Sequence, residues 1–159
     1  MARLPIWLTR VQSDSMLPGL RDGQLVCTVA VPRWIRLPRG AVVAVDSREL
    51  DRRIVKRVIG LPGEHLELGG GRTTVDGRSI LEPYATTSTG PRSFDVPPGH
   101  YLLLGDNRAA SSDARHWRRP FVTRREIIGV LATRPRRLAS RRRSPAGTPD
   151  VPTGRGRIR

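Results

Sequence analysis

The stretch Arg53-Ile54-Val55-Lys56-Arg57-Val58-Ile59-Gly60-Leu61-Pro62-Gly63-Glu64 holds the pattern that decides the fold. Its first seven residues are mostly β-branched or basic, and a Leu-Pro-Gly turn stops them. In a strand, Ile54, Lys56 and Val58 share one face, and Val55, Arg57 and Ile59 share the other. Working outward, similar runs occur at Gly23–Val31, Ala41–Val45, His65–Leu68, Thr73–Val75, Tyr101–Leu104 and Ile127–Ala132. Turn signals punctuate them at Arg21-Asp22-Gly23, Pro38-Arg39-Gly40, Gly69-Gly70-Gly71, Asp76-Gly77 and Pro97-Pro98-Gly99. Many short strands at this spacing predict a mainly β fold with partly closed sheets. A few short helical turns are expected at Met16–Leu20, Ser111–Arg115 and Thr123–Ile127, where Thr123 and Glu126 have capping-box spacing.

The 159 residues suit one domain, and 37% of them are hydrophobic, enough for a core. The single cysteine, Cys27, forbids an internal disulfide. His65, His100 and His116 lie too far apart for ligand spacing, so no metal site is expected. No apolar run approaches the roughly 18–20 residues of a membrane-spanning helix. Net charge is +15, which favours polyanions, either nucleic acid or an acidic lipid surface, or else marks an arginine-rich solvated surface. Residues 139–159 hold six arginines and almost no apolar side chain, a composition that predicts disorder.

Of the 29 basic residues, Lys56 is the one lysine. Arginine stays protonated, whereas a desolvated lysine can release its proton and act as a base. With Ile54 and Val58 as same-face neighbours, Lys56 is expected to be partly desolvated, its pKa pulled toward a working range. A surface lysine snorkelling from a strand is the plainer alternative. In Ser13-Asp14-Ser15-Met16-Leu17-Pro18-Gly19-Leu20, one of two hydroxyls beside a proline-constrained turn can serve as nucleophile. The other can donate to an oxyanion. The third segment, Gly105-Asp106-Asn107-Arg108-Ala109-Ala110-Ser111-Ser112-Asp113-Ala114-Arg115, follows a buried strand and can fix its shape by charge-assisted pairs.

Taken together, these segments resemble the type I signal peptidase family, whose members cut secretory leader peptides with a Ser/Lys dyad. The likeness covers residues 11–138. It runs through Ser13–Leu20, Arg39–Val43, Lys56–Glu64, Val75-Asp76-Gly77, Glu82-Pro83-Tyr84, Val96–Tyr101 and the loop from Gly105 to Arg115. It implies a signal-peptidase-like fold of partly closed antiparallel sheets. Ser15 becomes the nucleophile and Lys56 the general base. Ser13 and the backbone N–H of Ser15 supply the oxyanion hole, and Ser111 orients the amine. Asp113, Arg115 and Arg57 form a supporting ion-pair cluster, with Asp106 in the same loop. Val11, Met16, Leu20, Ile54 and Val55 match the substrate-binding positions. The mechanism implied requires no cofactor, and the partner implied is a precursor protein or leader peptide, met at the outer face of the cytoplasmic membrane.

Three departures qualify the likeness. Family members carry a membrane anchor ahead of the serine, and the sequence reads as a variant without one. Its residues show no export signal, which leaves a cytoplasmic location open. Residues 1–10 form an N-terminal segment in which Ile6, Trp7 and Leu8, together with Trp34 and Ile35, either dip into a lipid interface or join the core. Asp14 stands where glycine is usual, and its carboxylate is expected to favour the charged form of Lys56. Gly19 stands where threonine is common and is expected to loosen its turn. Two other activities compete: a maturation protease dedicated to one precursor, and a basic nucleic-acid-binding β module, against which the 4% aromatic content argues. The self-cleaving repressor family also uses a Ser/Lys pair, but the glycine and proline boxes fit the signal peptidases better. Oligomeric state is not legible.

Overall fold

The computed structural model describes residues 5–86 and 90–133. Eleven strands follow one another: β1 (Ile6–Arg10), β2 (Leu25–Val29), β3 (Val42–Ser47), β4 (Arg52–Gly60), β5 (His65–Gly69), β6 (Arg72–Val75), β7 (Arg78–Ile80), β8 (Arg92–Asp95), β9 (His100–Leu104), β10 (Phe121–Thr123) and β11 (Ile127–Leu131). A seven-stranded sheet runs β1-β2-β11-β3-β4-β9-β10, and a four-stranded sheet runs β7-β6-β5-β8. Every pairing is antiparallel, and neither sheet closes on itself. Among the described residues there is no helix. Met16–Leu20, Ser111–Arg115 and Thr123–Ile127 contribute isolated turns, the last held by the Thr123 N–H and hydroxyl donating to Glu126.

Burial explains the order. In β3, Val42 to Val45 are all buried, as a central strand covered on both faces requires. Val43 and Val45 join Val58, Leu103, Leu66, Leu68 and Val75 in the larger apolar cluster, which ties the two sheets together. Val42 and Ala44 point the other way, into a second cluster with Val11, Met16, Leu20, Val26 and Leu131. Glycines meet the demands of tight turns and close packing. The β6–β7 hairpin turns on Asp76 and Gly77, both at positive φ, as a two-residue loop prefers. Gly60, where the β4–β9 register shifts, leaves no room for a side chain.

Strands β1, β7, β8 and β10 lie outside the seven expected runs. They are short, and their partners impose the pairing. The large sheet begins at Ile6, ahead of Val11. In β1, Thr9 turns inward because its hydroxyl shares a 2.6 Å hydrogen bond with buried Thr28, and Ile6 and Leu8 therefore face out. Leu8 stands opposite exposed Cys27 on β2. Ile6, Leu8 and Trp34 are 64%, 67% and 84% exposed, and Ile35 is also exposed. Trp7, by contrast, is half-buried and packs over Gly129. The arginine-rich segment 139–159 lies outside the described residues.

A Cβ at Gly60 would stand 2.8 Å from both Leu102 Cβ and Leu66 Cδ1 and 2.9 Å from Val96 Cγ2. Gly60→Ala is therefore expected to cost about 1–3 kcal/mol of stability, read as a lower urea midpoint.

Candidate active site

Three separate segments converge on one point. The first is the turn after Val11. Met16 and Leu20 are fully buried in the second apolar cluster, and burial of side chains of this size contributes about 1.5–3 kcal/mol each. They pin the turn, which closes through Leu20 N–H to Met16 O at 2.8 Å and Leu17 N–H to Asp14 O at 3.1 Å. Ser15 is thereby fixed at its mouth, 8% exposed. The second segment is β4, on which Lys56 lies opposite Val43 and Ile54 opposite Val45. The third is the loop after β9, tied to the first by Asn107 N–H donating to Ser15 O at 3.0 Å.

Lys56 Nζ lies 2.9 Å from Ser15 Oγ. The lysine is only 5% exposed, and desolvation lowers its pKa to about 8. The Asp113 carboxylate pulls the other way, Arg52 and Arg115 add to the lowering, and Asp106 opposes it weakly. Asp14 is exposed and is not among these charges, contrary to expectation. Ser13, at positive φ, sets its hydroxyl 3.4 Å from Ser15 Oγ, while its N–H donates to Asp22.

The expected single ion-pair cluster resolves into separate pairs. Arg57 clamps Asp106 with two hydrogen bonds of 2.7 and 2.6 Å, donates to Gly40 O and stacks over Tyr84 at 4.0 Å. Arg115 clamps Asp113 at 2.7 and 3.0 Å, and Gly105 N–H donates to the same carboxylate. Arg108 pairs with Glu82 in a third. Burial raises the Asp106 pKa despite Arg57. At Asp113 burial also works toward neutrality, but Arg115 and the Gly105 N–H outweigh it and the pKa is lowered. Arg108 makes a charge-assisted pair of the kind expected of this loop, but its partner Glu82, like Tyr84, carries no role legible in the sequence. Their contacts span 26 and 27 residues of sequence, which local pattern does not report.

Two glycines adjust the picture. A Cβ on Gly19 would come within 2.5 Å of Asp106 Oδ2, so this position is crowded against the Arg57–Asp106 pair and not a loosened turn. A Cβ on Gly105 would meet Ser111 Oγ and Ser15 O, so glycine lets the loop approach the serine turn. Ser111 is buried, and the expected bond from its hydroxyl to Lys56 is not formed. The hydroxyl has no partner within 3.5 Å among the described residues, though it lies near enough to Asp113 to help lower that carboxyl's pKa.

Beside Ser15 and Lys56 runs a groove of about 530 Å³. Of the positions expected to bind substrate, Val11, Met16, Ile54 and Val55 line it, whereas Leu20 is buried in the second cluster. Strand β9 pairs with β4 from Arg57 onward, which leaves residues 52–56 without a strand partner on that edge. No group of His, Cys, Asp and Glu among the described residues is arranged to hold a metal ion.

A family model described as signal peptidase, peptidase S26, matches residues 4–134, the stretch that builds this open antiparallel scaffold and its site. The chain belongs to that family. It is 33% identical over 137 residues to a signal peptidase I of Leptolyngbya laminosa, covering 78% of this chain and 66% of that protein. It is 29% identical over 118 residues to signal peptidase I U of Bacillus subtilis (strain 168), covering 67% of this chain and 63% of that protein. The matches thus span slightly less than two thirds of these relatives. The crystal structure of a signal peptidase I from Enterococcus faecalis V583 superimposes with a TM-score of 0.55 at 30% identity, covering 61% of this chain and 97% of that one.

Asp113→Asn removes the charge that neutralises buried Arg115 and is expected to cost about 3–5 kcal/mol at neutral pH. A lowered pKa means the carboxylate stabilises the fold above its unfolded value of about 3.9 and loses that contribution as pH falls through the folded value. Denaturation curves of wild type and variant should therefore converge on acidification.

Proposed function

We propose that this protein is a serine endopeptidase that cleaves leader peptides after small residues through a Ser15/Lys56 dyad. The observation that carries the reading is the 2.9 Å contact between the Ser15 hydroxyl and an amine whose pKa burial has lowered to about 8. Near neutral pH such an amine is uncharged often enough to accept a proton. Neutral Lys56 takes the Ser15 proton as Oγ attacks the scissile carbonyl. The oxyanion is held by the Ser15 N–H and by the Ser13 hydroxyl, which swings from its 3.4 Å approach to Ser15 Oγ. Lys56 then protonates the leaving amine, and water releases the acyl group from Ser15 with Lys56 again as base.

The precursor binds as an extended strand along the free edge of β4, residues 52–56, in the groove walled by Val11, Met16, Ile54 and Val55. Ser111 acts as a positioning residue: its buried hydroxyl, beside Asp113, turns to steady the amine. Arg57, Asp106, Asp113 and Arg115 hold the loop that carries it. The site of action is a membrane face, which the exposed Ile6, Leu8, Trp34 and Ile35 and the neighbouring Arg33 and Arg36 suit. No helix among the described residues is long and apolar enough to cross a membrane.

The test is cleavage of peptides with small residues at the first and third positions before the bond, with products identified by mass spectrometry. Ser15→Ala and Lys56→Arg should each lower turnover at least about a thousandfold, because neither a methyl group nor a permanent guanidinium can play its part. Ser15→Ala should melt as wild type does, whereas Lys56→Arg buries a permanent charge and should melt lower. Near-wild-type cleavage by either variant excludes the dyad. Since the base must be neutral, kcat/KM should rise with pH and reach half its plateau near pH 8.

A further inference from the structure

Resting on the endopeptidase reading, we infer that the groove selects precursors carrying a carboxylate side chain at the fourth or fifth residue before the scissile bond, with Arg52 as its principal contact and Arg10 on the facing wall. Arg10, Arg52 and Arg53 all line the groove, whereas none of its lining residues is acidic. Arg53 is engaged by Asp46 at 2.9 Å. Arg10 and Arg52 are exposed and make no ion pair among the described residues.

The position follows from strand geometry. Arg52, Ile54 and Lys56 alternate onto one face of β4, and Arg52 stands four residues before Lys56, about 13 Å along the strand. A substrate strand on the same edge advances by the same rise. Because β9 occupies the edge from Arg57 onward, the preceding residues run toward Arg52, parallel to β4, and with the scissile carbonyl at Ser15 the fourth and fifth of them come abreast of Arg52. An apolar side chain there would lie against solvated guanidinium groups, while a carboxylate would meet two cations already free of partners. Arg52 is also close enough to act on Lys56, alongside Asp113, Arg115 and Asp106. Because its charge disfavours the protonated amine, removing it should shift the pH midpoint of turnover upward.

The experiment uses two peptides of identical sequence, with small residues at the first and third positions, and Glu or Gln at both the fourth and fifth. Wild-type protein should cut the Glu peptide about fivefold more efficiently in kcat/KM at low salt, and the ratio should approach one near 0.5 M NaCl. Arg52→Gln should bring the low-salt ratio toward one and raise the pH midpoint. Arg52→Glu should reverse it in favour of a Lys-containing peptide. Equal cleavage of both peptides by wild type at low salt overturns the inference and leaves the peptidase reading intact. If neither peptide is cut, the peptidase reading fails, and fluorescence anisotropy of the same labelled pair decides the groove. Tighter Glu-peptide binding that Arg52→Glu abolishes supports carboxylate selection, and equal affinities overturn it.

Discussion

The site depends on keeping one amine dry without letting it become a counterion. Burial alone would lower the pKa of Lys56, but two buried carboxylates, Asp106 and Asp113, stand near enough to raise it again. Left unpaired, either would draw a proton onto the lysine. Each is instead clamped bidentately by an arginine, Asp106 by Arg57 and Asp113 by Arg115. Their demand for a cation is met by groups that cannot lose a proton, and Lys56 is left to the hydroxyl of Ser15. In this light the division of labour between one lysine and many arginines is chemical: arginine neutralises, and lysine titrates.

The same pairs also set the geometry. Asp113 accepts from Gly105 N–H and so fixes the start of the loop. The next residue, Asp106, anchors Arg57, the neighbour of Lys56 on β4, and Asn107 N–H reaches Ser15 O. Serine turn, lysine strand and arginine-rich loop are thus laced together within a few residues of the hydroxyl. Gly105 permits the approach and Gly19 makes room for Asp106. Charge neutralisation and positioning are carried out by the same atoms.

Much of this was legible in the chain. The alternation through Ile54, Lys56 and Val58 foretold a desolvated lysine, and the strands flanking it follow from their apolar runs. The Ser13–Leu20 box has the two hydroxyls beside each other as read. What stayed hidden was long-range. Which acid each arginine takes is a tertiary fact, with Arg57 and Asp106 separated by 49 residues. Leu20 looks like any groove residue until the second cluster claims it. The effects of Gly19 and Asp14 depend on their neighbours in space: Gly19 lies against Asp106, and Asp14 faces solvent. Strand β1 carries no clear signal, because Thr9 shares its inward face with Trp7 while Ile6 and Leu8 face out.

One further property follows from Cys27. It is the single thiol of the chain, exposed on β2 opposite Leu8 and on the same outward side as that leucine. The protein therefore comes with a single attachment point for an environment-sensitive fluorophore, placed on its outer strands beside Leu8. Emission from that label would register whether this side meets lipid, with no mutation needed to install it.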